Sequence, residues 1–412
     1  MAFQSKAVRR IMKTGGKHGL NCIAELDPAA VEHIGETGSL PLSGVPVLVK
    51  DNIDVKGLHT TAGSLALEDN IAREDAHVIR NLRRNGAVII GKANMTEFAN
   101  FVTQGMPGGY SSRGGQVIHA VNRKLSPSGS SSGSAVAVAA GIVPMAVGTD
   151  TSFSVIACAM FNGICGLKPP VGALSSDGII PIARTLDSAG AMARNFTDTL
   201  KLYSAMRDEP LPELQPADPG MLRLAVNRAN GEAFPAGQRD FLNRFLDRMK
   251  EYGTITTDVD QPAPPELMTI MKWEFRPMLE EYLRDSAASR KTLAEIVEFY
   301  EAYPKKMMKY GDTLLRAALD ETPGGLQGKP YLDALEARRQ AMIRMTEEIG
   351  DCDAAVMTGP TSIMHLCGLP SVTVTSEEKD ENGVRRGVIL YGTDELRLYR
   401  AALAIEEIFR HV

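Results

Sequence analysis

The sequence contains few cysteines, few aromatic residues and no excess of positive charge. Its 412 residues include five cysteines and one tryptophan, and aromatic residues make up 6% of the chain. The cysteines stand far apart, with no CxxC pair and no histidine at zinc-ligand spacing, so we predict neither a disulfide framework nor a metal site. We expect no other cofactor. A formal net charge of −5 argues against nucleic acid as a partner.

Long apolar runs are also missing. No window reaches the ~18 uninterrupted apolar residues that a membrane-spanning helix needs, so we expect no membrane partner. The basic N-terminal stretch lacks the apolar core and the cleavage site of a secretory signal. Cysteines without a pairing pattern are typical of a reducing compartment. These absences together predict a cytoplasmic protein.

The patterns that are present indicate strands alternating with helices. Gly44–Val49 and Gly86–Gly91 have the composition of buried strands, and Ala76–Leu82 has helical spacing. Three further apolar runs, at 354–357, 372–374 and 388–390, precede a C-terminal helix from Thr393 to about Arg410. We predict a single α/β domain over residues 1–412, with a central mixed β-sheet flanked by helices. The C-terminal strands are expected to complete the N-terminal sheet.

Residues 200–350 are dominated by helical spacing of their apolar residues. Apolar residues recur at helical spacing over 273–283, 290–303 and 331–349. We predict a mostly helical segment that covers the functional site and helps to select the substrate.

Two stretches rich in glycine and serine interrupt the regular patterns: GMPGGYSSRGG at 105–115 and SPSGSSSGS at 126–134. Such stretches are often flexible linkers. Here the second one runs directly into a small-residue helix and then an apolar strand. A Gly/Ser loop between buried elements is more typical of a backbone cradle for a ligand. We therefore favour a functional loop over a linker.

The common signatures of nucleotide binding, zinc hydrolysis and serine hydrolases are absent. The chain has no GxxxxGK[ST], no strand-linked GxGxxG and no HExxH, and its GSSSG at 129–133 lies in a Gly/Ser stretch, not in the strand-to-helix elbow of a GxSxG hydrolase. His119 and His365 stand where a general base could lie, although a buried structural histidine is the more common interpretation of each.

A lysine and two serine-bearing segments remain. Lys50 closes an apolar run, so we expect its ammonium to be partly buried. Burial disfavours the charged form and lowers a lysine pKa, which allows a neutral lysine to act as a general base. A serine needs such a base to become a nucleophile near neutral pH. Gly129–Gly133 and Thr151–Ser154 are the two segments that could reach Lys50.

At these residues the chain resembles the amidase signature family. The matching stretches occur in the family's order within residues 20–194, which we take as the signature core. They are GVPVLVKDNIDV (44–55), GKANMTEF (91–98), GYSSRGGQ (109–116), SPSGSSSGSAVAVAAG (126–141), GTDTSFSVIACAMFNGICGLKPPVG (148–172) and SSDGIIPIARTLDSAGAMAR (175–194), with a weaker match in CGLPSVTV (367–374). GYSSRGGQ and the DGIIP run are most similar to the peptide-amidase-like branch.

The resemblance implies a Ser–cis-Ser–Lys triad in which Lys50 is the base, Ser130 the bridging serine and Ser154 the nucleophile. Ser154 would attack an amide carbonyl to give an acyl-enzyme, which water would hydrolyse, and Ser131 would support the network. The oxyanion hole would consist of four consecutive backbone N–H groups, those of Thr151, Ser152, Phe153 and Ser154. The implied function is that of a serine amidohydrolase that cleaves the C–N bond of a linear carboxamide, either a small amide or a peptide amide.

The sequence departs from the family beside the nucleophile. Ser152 and Phe153 stand where two glycines or Asp-Gly are usual, and Ser128 replaces a glycine of the bridging-serine loop. Glycine accepts a positive φ without strain, whereas phenylalanine there would be strained or would need a different backbone. Three interpretations stay open: an active amidase with a reshaped, mostly apolar acyl pocket, a weakened or inactive homologue kept for binding, and the glutamine-hydrolysing component of an amidotransferase. Retention of the whole triad favours the first. A homodimer is also left open.

Overall fold

The computed structural model describes residues 6–262, 265–323 and 325–410. The strands in these ranges are β1 (Ile23–Leu26), β2 (Pro46–Lys50), β3 (Val88–Ala93), β4 (Tyr110–Ser111), β5 (Gly115–Gln116), β6 (Met145–Asp150), β7 (Cys165–Lys168), β8 (Ser188–Ala193), β9 (Arg223–Asn227), β10 (Ile255–Val259), β11 (Ala354–Met357), β12 (Ser371–Lys379) and β13 (Arg385–Tyr391).

The α-helices in the same ranges are α1 (Lys6–Gly15), α2 (Pro28–Val31), α3 (His77–Arg84), α4 (Ser132–Ala139), α5 (Ile156–Asn162), α6 (Phe196–Met206), α7 (Ala236–Glu251), α8 (Glu266–Asp285), α9 (Leu293–Ala302), α10 (Pro304–Met307), α11 (Thr313–Asp320), α12 (Lys329–Ile349), α13 (Ile363–Leu366) and α14 (Glu395–Arg410).

One mixed sheet organises the described residues. Its eleven strands run in the order β1-β3-β2-β6-β8-β7-β12-β13-β11-β9-β10, and β4 pairs with β5 in a separate hairpin. The strand β2 is parallel to both of its neighbours, β3 and β6. The C-terminal strand β12 pairs with β7 and joins the two halves of the chain. The predicted α/β domain with a mixed sheet is therefore confirmed, as is its completion by the C-terminal strands.

Two apolar layers cover the two faces of the sheet. Along β2, Leu48 packs into one layer, whereas Val47 and Val49 pack into the other, because successive side chains of a strand point to opposite faces. The helices α4, α5, α8, α9, α11 and α12 contribute to the layer of Leu48. The helices α3, α6, α7 and α14 contribute to the opposite layer. Lys50 follows Leu48 by two residues, so its side chain lies on the same face as that of Leu48.

Local sequence explains where several helices begin. Thr292 and Glu295 form a reciprocal capping box at the start of α9. At the start of α14, Asp394 Oδ1 accepts the N–H groups of Leu396 and Arg397, at 2.9 and 3.0 Å. Asp394 thus caps the helix whose start the sequence placed at Thr393. None of the described helices is long and apolar enough to cross a membrane.

The segment 200–350 contains two strands that the sequence analysis missed. Both β9 and β10 are five residues long, and β10 is the exposed edge strand of the sheet. A short apolar run within a polar, helical region carries too weak a period for a strand to be recognised. The segment therefore divides in the structure: β9, α7 and β10 build the far edge of the sheet, whereas α8, α9, α11 and α12 pack on the face that carries Lys50.

The central place of β9 gives a test of this division. Leu224 is fully buried between β10 and β11, and a Leu→Ala change in a core costs ~2–5 kcal/mol. We expect Leu224→Ala to lower the free energy of unfolding by that amount in chemical denaturation. Thr257→Ala, at an exposed position of β10, should stay within about 0.5 kcal/mol of the parent. Equal effects of the two substitutions would contradict a buried β9.

Candidate active site

Lys50 ends β2 in the interior of the protein. Its side chain is 0% exposed. The Nζ atom lies 2.8 Å from Ser130 Oγ, 2.8 Å from Thr149 Oγ1 and 3.1 Å from Thr149 O. Burial lowers the pKa of the Lys50 ammonium to about 7, because a charged group is poorly solvated away from water. A large fraction of Lys50 is therefore neutral near pH 7, as its position at the end of an apolar run suggested.

Ser130 lies in the second Gly/Ser stretch, which leads into α4. Its peptide bond with Gly129 is cis, and its carbonyl accepts the N–H of Thr96 at 3.1 Å. A Cβ on Gly129 would lie 2.4 Å from Thr96 Oγ1, so this close approach requires glycine. Ser130 to Ser134 are all buried. The stretch is therefore a packed loop and not an interdomain linker.

Ser154 occupies the turn between β6 and α5. Asp150, the last residue of β6, holds the far side of this turn: its Oδ2 accepts the N–H of Val155 at 2.7 Å and that of Ile156 at 3.2 Å. The carbonyl of Ser154 accepts the N–H of Ser131 at 3.3 Å. The turn is thus fixed both to its own strand and to the loop of Ser130.

The three residues of the predicted triad come together in a continuous chain of polar contacts. Lys50 Nζ lies 2.8 Å from Ser130 Oγ, which lies 3.0 Å from Ser154 Oγ. The parallel pairing of β2 with β6 explains the meeting of Lys50 with the turn of Ser154, since neighbouring parallel strands end at the same edge of a sheet. The Ser130 loop fills the space between them.

Thr149 and Asn52 complete the surroundings of Lys50, and the sequence analysis missed both. Ser131 Oγ donates to Thr149 O at 3.0 Å and accepts the N–H of Thr149 at 3.3 Å. Asn52 Nδ2 donates to Thr149 Oγ1 at 3.0 Å. Ser131 therefore holds the residue that also contacts Lys50. Both missed residues lie in the matching stretches, two positions after Lys50 and one before Asp150, which is the signal that could have found them.

The residues that replace glycine adopt the left-handed backbone. Phe153 has φ = +74° and Ser128 has φ = +61°. This conformation costs a residue with a Cβ roughly 1–2 kcal/mol. From the sequence we expected Phe153 either to be strained or to need a different backbone. Its positive φ means that the backbone is strained.

The predicted oxyanion-hole groups are not equivalent. The N–H of Phe153 already donates to His365 Nε2 at 3.0 Å, which corrects its assignment as a free donor. The N–H groups of Thr151, Ser152 and Ser154 have no acceptor among the described residues. Three of the four predicted donors therefore have no hydrogen-bond partner within this part of the chain.

His365 lies against this turn and makes no contact with the Ser154 hydroxyl. Its ring centroid is 4.3 Å from that of Phe153, and its Nε2 is 3.2 Å from Asp150 Oδ1. Burial alone would raise the pKa of the Asp150 carboxyl, but His365 and the Val155 N–H outweigh burial and bring the pKa to about 2. Asp150 is thus ionised beside a buried histidine.

His119, the other histidine considered from the sequence, has a structural role. His119 is buried and contacts the backbone: Nε2 lies 2.8 Å from Phe161 O, and Nδ1 accepts the N–H of Val121. Burial raises the pKa of the Cys158 thiol to about 12, so it stays protonated and unreactive. All five cysteines are free. In the described ranges no group of three histidine, cysteine, aspartate or glutamate side chains is arranged to hold a metal ion.

Hydrogen bonds connect the turn of Ser154 to helix α8. Thr151 Oγ1 donates to Asp187 Oδ1 at 2.6 Å, and Asp187 Oδ2 accepts the N–H of Ile182 at 2.8 Å. Two residues before Asp187, the N–H of Thr185 donates to Glu274 of α8 at 3.0 Å. Burial raises the pKa of the Asp187 carboxyl to about 7.

A cavity of about 590 Å³ opens between α8 and the loop of residues 182–187. Its lining is largely polar and includes Asp54, Arg184, Asp187 and Tyr282. A narrower space of about 20 Å³ shares Asp187 with it and continues to Thr149 and Thr151. Neither lining includes Ser154, but the narrower space reaches Thr151 in the same turn.

Comparison with known sequences agrees with this geometry. The profile of the amidase family matches residues 19–379. A protein of Arabidopsis thaliana named as a probable amidase is 30% identical over 428 residues, which cover 94% of this chain and 83% of that protein. A glutamyl-tRNA(Gln) amidotransferase subunit of Symbiobacterium thermophilum is 42% identical over 200 residues, which cover 48% of this chain and 40% of that protein.

Solved structures show the same architecture. The peptide amidase of Stenotrophomonas maltophilia superposes with a TM-score of 0.87 at 30% identity, covering 98% of this chain and 92% of that one. An amidase family protein of Bacillus anthracis superposes with a TM-score of 0.89 at 27% identity, covering 99% and 87%. The match in family profile, sequence and fold over most of the length shows that this chain belongs to the amidase signature family and is an amidase, an enzyme that hydrolyses amides.

Proposed function

We propose that this amidase cleaves linear carboxamides with Ser154 as the nucleophile, Ser130 as a proton relay and Lys50 as the general base. The observation that carries the proposal is the unbroken chain from Lys50 Nζ to Ser130 Oγ, 2.8 Å, and on to Ser154 Oγ, 3.0 Å. Lys50 Nζ forms its hydrogen bonds with Ser130 and Thr149 and none with Ser154. Ser130 therefore connects the base to the nucleophile.

The reaction begins with neutral Lys50. Its two N–H groups donate to Thr149, and its lone pair accepts the proton of Ser130. Ser130 in turn accepts the proton of Ser154, whose Oγ attacks the amide carbonyl. When the C–N bond breaks, the protonated Lys50 returns a proton through Ser130 to the leaving ammonia or amine. Water then hydrolyses the acyl-enzyme by the same relay.

The negative charge on the carbonyl oxygen needs donors that are already in place. The N–H groups of Thr151, Ser152 and Ser154 are the candidates, since no acceptor within the described residues occupies them. Fixed donors of this kind often supply the largest share of catalysis. Their availability supports an active enzyme over an inactive homologue, even though Phe153 replaces a glycine.

The substrate is expected to be a small amide or a peptide amide. The cavity between α8 and the 182–187 loop, about 590 Å³, has the volume of a pocket for a small-molecule ligand. Its charged and polar lining suits a group with peptide-like polarity. The narrower space beside Thr151, about 20 Å³, has both apolar and polar lining and has room for about one water molecule. The helices of residues 266–349 would then cover the substrate.

The amidotransferase interpretation differs in its need for a partner. Relatives with that name match between 44% and 85% of this chain, so the extent of the match does not separate the two interpretations. Ammonia release from a simple amide by the purified chain alone supports the hydrolase, whereas activity that appears only with a partner protein supports the amidotransferase.

Covalent labelling tests the nucleophile. A fluorophosphonate probe reacts with an activated serine, so we expect the adduct at Ser154 in a mass-spectrometric peptide map. Ser154→Ala and Lys50→Ala should each abolish labelling and lower amide turnover by about 10³-fold or more. Ser134→Ala is the matched control, because Ser134 is a buried serine of the same stretch whose hydroxyl donates to Val147 O; it should label like the parent. An adduct at another serine would refute the assignment.

The base gives a specific pH dependence. Because Lys50 acts only when neutral and its pKa is lowered to about 7, kcat/KM should rise with pH through about 7 and then level off. Below that value it should fall about tenfold per pH unit. Lys50→Arg, which stays charged, should have no such rise.

Asp187 provides the control for this profile, since burial raises its pKa to about 7 as well. Asp187→Asn should keep the rise in kcat/KM but move it to lower pH, because the ionised Asp187 carboxylate raises the pKa of Lys50. If the rise disappears in this variant while activity persists, the titrating group is Asp187 and not Lys50.

A further inference from the structure

One buried pair of side chains holds the turn of Ser154 from both sides. Asp150 Oδ2 accepts the two N–H groups that follow Ser154 in the chain. His365 Nε2 accepts the N–H of Phe153, which directly precedes Ser154, at 3.0 Å. Both side chains are 0% exposed, and their Nε2 and Oδ1 atoms are 3.2 Å apart. The nucleophile therefore lies between two backbone segments that the same pair fixes.

The backbone of Phe153 requires such support. Its φ of +74° lies in a region that residues with a Cβ avoid, and such a conformation persists only where the surroundings over-determine it. His365 contacts Phe153 in two ways, through the hydrogen bond to its N–H and through a ring contact at 4.3 Å between centroids. Within the described residues, it is the side chain that hydrogen-bonds this backbone group.

We propose that His365 is a positioning residue for catalysis. It fixes the peptide between Ser152 and Phe153, and it thereby keeps the neighbouring N–H groups of Ser152 and Ser154 in place for the oxyanion. It acts through the backbone, without touching the substrate or the Ser154 hydroxyl. The proposal rests on the proposed function in taking Ser154 as the nucleophile.

The protonation state of the His365 ring determines whether it can hold the Phe153 N–H. Nε2 faces a donor, the Phe153 N–H, and an acceptor, the Asp150 carboxylate, and one ring nitrogen cannot serve both at once. Accepting from Phe153 requires the neutral imidazole with its proton on Nδ1. A proton on Nε2 would face Asp150 instead, and that is the form in which His365 lowers the pKa of the Asp150 carboxyl. A glutamine at this position could serve both neighbours with two different atoms, its oxygen accepting from Phe153 and its nitrogen donating to Asp150. Leucine could serve neither.

The test is a comparison of His365→Leu with His365→Gln, using the full chain and the fluorophosphonate probe. Loss of positioning should lower the maximal labelling rate at Ser154 and leave the probe's KI unchanged. We expect a decrease of about 10- to 100-fold for His365→Leu, the effect of a reactive group misplaced by about 1 Å. His365→Gln should recover most of the rate. His119→Leu is the matched control, since His119 is equally buried and bonded to backbone but lies outside the turn; it should label at the parent rate.

A second comparison removes the backbone strain at position 153. Glycine adopts φ = +74° freely, so in a Phe153→Gly background His365→Leu should cost much less labelling rate than it does in the parent. Additive losses would overturn the proposal, because they would mean that His365 does not act through Phe153.

The experiments distinguish failure of the positioning role from failure of the proposed function. A folded His365→Leu that labels at the parent rate overturns the positioning role, and equal losses in the leucine and glutamine variants overturn the role of the hydrogen bond. Should His365→Leu fail to fold, His365→Asn replaces it, since the shorter amide does not reach Phe153; equal rates for the asparagine and glutamine variants then overturn the proposal. Labelling of Ser154→Ala would instead refute the proposed function.

Discussion

The site depends on the parallel pairing of β2 with β6 in the interior of the sheet. Because the two strands end at the same edge, Lys50 at the end of one comes within hydrogen-bond distance of Thr149 near the end of the other. The turn that follows β6 brings Ser154 to that edge, and the Ser130 loop closes the gap. The second half of the chain reaches the same edge because β12 continues the sheet, and the short helix before it carries His365.

Burial at this edge affects neighbouring groups in different ways. It lowers the pKa of Lys50 to about 7 and raises that of Asp187 to about 7, since each charged form loses its hydration. Asp150 is equally buried, yet its pKa is about 2, because His365 and the N–H of Val155 stabilise the carboxylate. The partners of each group, more than its depth, decide which one is suited to move protons and which one stays charged and holds the backbone.

The sequence allowed the central features to be predicted. Strongly periodic segments identified the helices over 273–283 and 331–349, and the order of short motifs identified Lys50, Ser130 and Ser154 as residues that meet. Other features were beyond it. The strands β9 and β10 are short and lie in a region of helical pattern. The contact of His365 with Phe153 joins residues 212 positions apart, and no local period or spacing encodes such a contact.

The structure explains how Phe153 can replace a glycine beside Ser154. Sequence alone set Phe153 against activity, because a bulky residue is disfavoured at a positive φ. The structure has that φ, and it has a second example at Ser128, whose carbonyl accepts a hydrogen bond from Ser132 Oγ at 2.5 Å. Phe153 and Ser128 are thus each held by a hydrogen bond from or to a buried side chain, and backbone strain of this kind persists where neighbours over-determine it. The missing glycine beside Ser154 is therefore not by itself evidence of an inactive site, since a side chain from a distant part of the chain can supply the constraint that glycine makes unnecessary.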